Sequence, residues 1–407
     1  MDFTLSPEIE DIRLRTSRFV EEHVRPLEAH PANYDDYENI RLDVLRAVQA
    51  KAKDEGLWAP QAPKEFGGMG LPVVGWAAMY EEANRSIFGP LAFNCAAPDD
   101  GNMNLLARTG TPAQKNKWLK PIVEGKVRSA FAMTEPAPGG GSDPGMIRTR
   151  AEKKGDGWVI HGHKWFITGA GVADHFILIA RTSEDRRSGL TAFLYHRDQP
   201  GWRILRRIPI MGPEEHGGHC ELVFEGLEVP DENVLMKVGD GLRVTQIRLG
   251  PARLTHCMRW LGLAKRAMEI AQAYVDHREG FGVRLADRES VQIKLGEVAH
   301  QIQIGRLLVM HAAWKLDKGD HARKEVSMAK LHVADTLHRA ADVAIQLNGA
   351  RSGRSTRGSC PWNSRAPGAA RRRRLGGAQH GARAVYARGG PRFLALECGQ
   401  PGVSGSS

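Results

Sequence analysis

The stretch from Phe131 to Val172 constrains the fold more than any other part of this 407-residue chain. It opens with a short apolar strand and a glycine-serine loop, and continues with runs in which apolar and polar residues alternate. Gly155-Asp156-Gly157 splits two of these runs and predicts a β-hairpin. A further turn is expected at Gly162, before a strand from Lys164 to Thr168. The alternation predicts short antiparallel strands rather than helices.

The ends of these strands carry side chains that suit a flat heteroaromatic ligand. Thr134 and Thr168 supply hydroxyl groups, and Trp165 and Phe166 are adjacent aromatic residues. Hydroxyls bond the edge of such a ligand, aromatic rings cover its face, and glycines let the backbone approach it. An ordinary antiparallel sheet with strand-end threonines and a half-buried aromatic pair is the alternative, and composition alone does not separate the two.

Helical periodicity flanks this region on both sides. Residues 7–29 and 39–55 are amphipathic before it. After it, residues 248–278, 290–316 and 321–347 predict long antiparallel helices of a four-helix-type bundle that lacks its last member. We therefore expect an α+β multi-domain fold with an all-helical N-terminal domain, a middle antiparallel β-barrel and a C-terminal helical bundle. The expected bounds are 1–128, 129–240 and 241–351, followed by a tail at 352–407.

Composition excludes several other classes of protein. No run approaches the length of about eighteen apolar residues that a membrane span needs. The amino terminus is acidic and lacks the apolar core of a signal peptide, and the five cysteines are scattered without a CxxC pair. We expect a cytoplasmic protein with reduced thiols. His256 and Cys257 are consecutive on a predicted helix and point apart, so no metal site is expected.

The net charge of +10 is concentrated in the tail. Residues 352–407 contain ten Arg and one acid, Glu397, which leaves 47 basic and 46 acidic residues elsewhere. The tail lacks Lys, Ile and Asp and is rich in Gly, Ala, Ser and Pro, a composition typical of disorder. It could be a basic arm for nucleic acid or anionic lipid, centred on Arg371 to Arg374, or a solvated segment without function.

Two motifs in the middle region resemble a known family. FAMTEP, which starts at Phe131, and GHKWFITGA, which starts at Gly162, are together similar to the flavin-binding middle domain of the acyl-CoA dehydrogenase family. The glycine-rich segment PKEFGGMGL, from Pro63, resembles a connector of the same family. The resemblance implies bound FAD, with cofactor contacts from six residues of the middle region: Phe131, Met133, Thr134, Trp165, Phe166 and Thr168.

Two later motifs extend the resemblance. Arg278-Glu-Gly-Phe281-Gly is similar to the family's R-x-x-F-G, whose Arg meets the flavin pyrophosphate across a subunit interface while the Phe packs near the adenosine half. The segment from Gln346 to Gly349 resembles Q-x-x-G-G, which meets the flavin nucleotide from the neighbouring subunit. A homodimer or homotetramer is thereby implied. Without the resemblance, both segments would be ordinary helix ends.

The reaction that the resemblance implies is α,β-desaturation of an acyl-CoA thioester. A carboxylate removes the α proton while the β hydrogen leaves as hydride to the flavin, and an electron-transfer flavoprotein is the implied acceptor. Ser142 and Arg253 match substrate-binding positions. In most members of the family the catalytic base lies in a carboxyl-terminal loop. In a few members it lies on the long helix, at a position where this chain has Ala252. No residue of the tail matches that loop, so no catalytic residue is assigned.

The genetic code suggests why the expected motif is missing. If the reading frame is shifted by one base through residues 371–385, the overlapping codons permit V-D-G-A-S-E-V-H. This string resembles R-x-x-D-G-x-x-E-V-H, the closing motif of the branch that shares the His256-Cys-Met-Arg259 segment, and its aspartate is the expected base. We therefore interpret the tail as the product of a frameshift.

The sequence thus predicts an FAD-dependent acyl-CoA dehydrogenase that has lost its catalytic carboxylate and most of its activity. An acyl-CoA oxidase is an alternative within the flavin enzymes. The alternatives from another class are a non-catalytic flavoprotein and a nucleic-acid-binding protein that acts through the Arg-rich tail. The nucleic-acid-binding alternative is less favoured, because the body of the chain is nearly neutral.

Overall fold

A computed structural model of the chain describes residues 4–141, 143–185, 187–210 and 215–349. Ser142 and the predicted tail lie outside these residues. Within them, no helix combines the length and the hydropathy that crossing a bilayer requires.

Helices dominate the described chain as far as Val123. Pro7 occupies the first turn of the first helix, and the Ser6 hydroxyl caps it by accepting from the Ile9 amide, 3.4 Å away. π-helical turns at Val20–Val24 and Lys115–Leu119 join neighbouring helices. The helices are α1 (Pro7–Phe19), α2 (Arg25–Glu28), α3 (Leu42–Asp54), α4 (Val73–Ala83), α5 (Gly89–Ala92), α6 (Asp99–Thr109), α7 (Pro112–Gln114) and α8 (Lys120–Val123).

A mixed sheet follows. Its strands are β1 (Ser129–Ala132), β2 (Arg150–Lys154), β3 (Gly157–Thr168), β4 (His175–Arg181), β5 (Leu190–His196), β6 (Trp202–Arg207), β7 (His219–Pro230) and β8 (Val234–Leu235). Their order is β6-β7-β3-β2-β4-β5-β8, and β1 pairs with β4. The predicted mixed α+β fold class is confirmed, but the sheet is not wholly antiparallel, because β1 runs parallel to β4.

The turn predicted at Gly162 is wrong, because β3 continues through it to Thr168. The pairing of β3 with β7 shifts register between Ile160 and His161 instead, which marks a β-bulge. A Cβ at Gly162 would stand 2.6 Å from the Cα of Thr149. Glycine is therefore required here by the close approach of a neighbouring segment rather than by a chain reversal.

Long helices complete the chain as far as the structure describes it. They are α9 (Gly241–Val275), α10 (Glu289–Asp317) and α11 (Arg323–Asn348), with the short strands β9 (Glu279–Gly280) and β10 (Val283–Arg284) between the first two. The helix α9 begins at Gly241, whereas the sequence predicted a start at residue 248. Val244 explains the difference, because its buried side chain packs in the same apolar cluster as Leu190 and Ala192 of the sheet.

The apolar core joins these regions. One cluster combines α1 and α4 with α9, α10 and α11. A second places α6 and α8 against β4 and β5, and a third fills the other side of the sheet. The N-terminal helices thus pack against both the sheet and the long helices. The domain bounds 1–128, 129–240 and 241–351 stay a prediction.

Gly262 of α9 provides a test of the crossing between α9 and α4. A Cβ at this position would meet the Glu81 carbonyl oxygen at 2.2 Å. We expect Gly262→Ala to lower the free energy of unfolding by about 1–3 kcal/mol, because the backbones must separate. Gly296→Ala on α10 is the matched control, since nothing lies within 4 Å of that position, and it should raise stability by about 0.5–1 kcal/mol. Urea unfolding measures both, and an unchanged Gly262→Ala protein contradicts the packing described.

Candidate functional site

The structure brings the two middle motifs together at the ends of β1 and β3. The Trp165 amide donates to the Thr134 carbonyl at 3.0 Å, and the Thr134 hydroxyl donates to the Trp165 carbonyl at 2.6 Å. Because Thr134 uses its single hydroxyl hydrogen on the backbone, its oxygen presents lone pairs to a ligand.

A bulge turns Phe166 out of the sheet. The register between β3 and β7 shifts again between Lys164 and Ile167, and Phe166 lies in the left-handed region with φ 53°. A non-glycine residue in that region is uncommon and is typical of functional sites. Phe166 is 40% exposed, and the half-buried Trp165 ring contacts it edge-on with centroids 5.0 Å apart. One aromatic face is therefore held open beside Thr134.

The second strand-end hydroxyl lies just beyond Phe166. Thr168 pairs in register with His219 of β7, and its Oγ1 is 3.0 Å from the His219 Nδ1. Sequence reasoning did not include His219, because its closeness to Thr168 depends on a strand pairing across about fifty residues of chain.

A buried ion pair holds the two strand ends together. Lys164 is fully buried, and its ammonium donates to the Glu135 carboxylate at 2.7 Å and to the Met133 carbonyl at 2.9 Å. The Glu135 carboxylate also accepts from the backbone amides of Arg148, at 2.7 Å, and Thr149, at 2.9 Å. Lys164 therefore binds the residues on either side of Thr134.

Burial and charge act on the pKa values of this pair. Burial lowers the pKa of the Lys164 ammonium to about 8, although Glu135 opposes that shift. Burial raises the pKa of the Glu135 carboxyl, but Lys164 and the amide donors outweigh it, so that pKa lies below its ordinary value. Both groups are charged at pH 7. A lysine inside an apolar strand was the signal in the sequence that could have revealed the pair.

Phe131 and Met133 lie at the buried side of this region. Met133 is buried in the apolar cluster between the N-terminal helices and the sheet. The Phe131 ring is half-buried, with the Arg248 guanidinium 4.3 Å from its centroid. Arg248 is itself buried and donates to the Asn102 side-chain oxygen at 2.8 Å. Polar groups of α6 and α9 thus extend to the first strand of the sheet.

Arg278 and Phe281 belong to an exposed hairpin after α9. Gly280 pairs with Val283, so Phe281 and Gly282 form the two-residue turn, with φ of 54° and 80°. Positive φ at both positions is typical of a type I′ turn. Arg278 is exposed, and Phe281 is fully exposed at the tip. An aromatic side chain held in this way is presented outward.

The remaining predicted residues lie on α9 and at the end of α11. Ala252 is buried and Arg253 is exposed on α9. Gln346 is exposed in the last turn of α11, and Gly349 follows the helix with φ 53°. The structure therefore assembles one group of predicted residues at the ends of β1 and β3, and presents the others on the surface of the helical region.

Comparison with known proteins identifies the family. The family models described as acyl-CoA dehydrogenase N-terminal, middle and C-terminal domain match residues 6–126, 130–227 and 239–377. The chain belongs to the acyl-CoA dehydrogenase family, whose members are FAD flavoenzymes. The predicted family is confirmed.

Individual relatives agree with this assignment. Probable acyl-CoA dehydrogenase FadE2 of Mycobacterium tuberculosis is 38% identical over 364 residues, which cover 86% of this chain and 88% of the relative. Acyl-CoA dehydrogenase family member 11 of Gallus gallus is 35% identical over 84% of this chain, and the match spans 45% of that longer protein. A solved structure from Mycobacterium abscessus, assigned as an acyl-CoA dehydrogenase, superposes with a TM-score of 0.84 at 32% identity over 96% of each chain.

Removal of one partner of the buried pair tests its role. Lys164→Met leaves the buried Glu135 carboxylate without its counter-ion, so we expect a loss of about 3–5 kcal/mol in the free energy of unfolding. The double variant Lys164→Met/Glu135→Gln should recover part of this loss, because a neutral amide can still accept from one backbone N–H. Chemical denaturation at pH 7 measures both. A double variant less stable than Lys164→Met alone contradicts the ion-pair account.

Proposed function

We propose that this chain binds FAD at the ends of β1 and β3 and descends from an enzyme that desaturates acyl-CoA thioesters at the α and β carbons. The observation that carries the proposal is the exposed ring of Phe166, whose neighbour Trp165 accepts from the Thr134 hydroxyl and whose ring lies near His219, the partner of Thr168. Family membership supplies the reaction class.

The chemistry of this group of side chains fits a flavin ring. A flat heterocycle with donors and acceptors on its edge needs an apolar face to lie on and polar groups at its rim. Phe166 offers the face, and the lone pairs of Thr134 offer an acceptor at the rim. Thr168 adds a second hydroxyl. When bound, the flavin would accept the hydrogen that leaves the acyl β carbon.

The nucleotide half of FAD would lie between subunits. Arg278 offers a guanidinium that can pair with two phosphate oxygens, and Phe281 offers an aromatic face. Gln346 and Gly349 would contact the same part of the cofactor. All four lie at the exposed ends of helices or on the exposed hairpin, as contacts to a second copy require. We therefore propose a homodimer or homotetramer, with an electron-transfer flavoprotein as the electron acceptor.

The substrate side of the proposal rests on α9. Arg253 is exposed and positively charged, and we propose that it binds near the junction of CoA and the acyl chain, with Ser142 as a second substrate contact. A base must remove the α proton, and Ala252 has no ionisable group. No aspartate occurs in residues 352–407, so we propose that dehydrogenation by this chain is impaired.

Flavin affinity tests the cofactor site. We expect Phe166→Ala to raise the Kd for FAD about tenfold, because the ring that covers the flavin face is lost. Leu205→Ala on the edge strand β6 is the matched control, since Leu205 is also an exposed apolar side chain at 50% exposure. Fluorescence quenching of FAD on titration with each apoprotein gives the Kd. Equal affinities of the parent and the Phe166→Ala protein contradict the site.

Correction of the reading frame tests the missing base. The frame-corrected chain should dehydrogenate acyl-CoA with an artificial electron acceptor, and the parent chain should be slower by on the order of 10²–10⁴, the usual contribution of a general base. Replacement of the restored aspartate by asparagine should bring the rate back to the parent level. Ordinary turnover by the parent chain, or DNA that does not encode Asp-Gly and Glu-Val-His in the shifted frame, contradicts the account.

A further inference from the structure

His219 contacts two of the three groups that the proposed function assigns to the flavin ring. Its Nδ1 is 3.0 Å from the Thr168 Oγ1, and its ring centroid is 6.2 Å from that of Phe166. The side chain is buried, with 6% of its surface exposed. A single imidazole thus lies behind both the hydroxyl and the aromatic face.

Backbone hydrogen bonds hold His219 in this place. Its carbonyl accepts from the Ile208 amide at 2.7 Å. On the other side, the Gly169 amide donates to the Gly218 carbonyl at 2.8 Å, beside the register pair of Thr168 and His219. The position of the imidazole relative to Thr168 is therefore set by the pairing of strands and not by a mobile loop.

The hydrogen bond between Thr168 and His219 is formed by one hydrogen, which either residue can donate. A threonine hydroxyl has one hydrogen to donate, and a neutral imidazole nitrogen is either a donor or an acceptor. If Nδ1 carries a hydrogen, it donates to Oγ1, and the Thr168 hydroxyl points its own hydrogen elsewhere. If Nδ1 is bare, Thr168 donates to it and turns a lone pair outward. The state of His219 therefore influences which polarity Thr168 shows to a ligand.

This choice matters for a flavin, because N5 of the ring accepts a hydrogen bond in the oxidised form and carries a hydrogen after two-electron reduction. We propose that His219 is a positioning residue that orients the Thr168 hydroxyl towards the flavin edge and thereby helps to set the reduction potential of the bound flavin. The proposal rests on the proposed function, since it requires FAD at the ends of β1 and β3.

Three substitutions of His219 separate the hydrogen bond from packing. His219→Asn places an amide near the position of Nδ1, so it keeps a partner for Thr168. His219→Gln places its amide near the position of Nε2, and His219→Phe keeps a ring against Phe166 without any hydrogen bond. We expect His219→Asn to keep the reduction potential of the parent. The other two should change the equilibrium constant for two-electron reduction about fivefold to tenfold, where tenfold corresponds to about 30 mV.

A double-substitution cycle shows whether His219 acts through Thr168. The potentials of the parent, His219→Phe, Thr168→Val and the double variant are measured by dye-coupled reduction of the FAD-loaded proteins. We expect His219→Phe to have no further effect once Thr168 is Val. Equal shifts in both backgrounds, or a His219→Asn protein that shifts as much as His219→Gln, overturn the proposal.

The same proteins separate this proposal from the one on which it rests. Flavin absorbance reports whether each variant holds FAD, and the thermal midpoint reports whether it is folded. A parent chain that is folded but binds no FAD overturns both proposals. A parent that binds FAD while the cycle is additive overturns only the role of His219.

Discussion

The buried ion pair between Lys164 and Glu135 determines the geometry of the candidate site. β1 leaves the sheet after Ala132, and β3 bulges at Trp165, so neither strand end is held by regular pairing alone. The Lys164 ammonium binds the Met133 carbonyl and the Glu135 carboxylate, which fixes the chain on both sides of Thr134. An ion pair with 0% and 3% of its side chains exposed is costly to break, because either charge alone would remain desolvated. The pair therefore rigidifies the groups that a flavin would meet.

The residues proposed to contact the cofactor lie on two kinds of surface. The groups proposed to bind the flavin ring lie at strand ends of a sheet that is packed on both sides, and rigid elements hold such groups accurately. The residues proposed to contact the nucleotide, Arg278, Phe281 and Gln346, are exposed on the helical region. An exposed phenylalanine at the tip of a two-residue turn gains little in one isolated chain. It would gain a function if a second subunit brought the nucleotide half of its FAD to it.

Local patterns in the sequence were enough to predict the helical, sheet and helical regions, and the family resemblance was needed to assign Thr134, Trp165 and Phe166 to one site. Contacts between segments that are distant in the chain could not be predicted in this way. Gly162 resembles a turn in the sequence, but the structure needs it because Thr149 approaches the strand. His219 joins the site through strand pairing, and α9 starts early because Val244 packs on the sheet. In each case the deciding interaction joins residues that are far apart in the chain.

The proposed site requires a flavin ring on Phe166, with its edge at the two strand-end threonines. A crystal structure of the purified chain with FAD shows whether the ring lies there. We expect electron density for the isoalloxazine against the Phe166 ring, with its edge within hydrogen-bonding distance of Thr134 and Thr168. Density for the ring at another place, or none at these strand ends in crystals grown with saturating FAD, rules this site out.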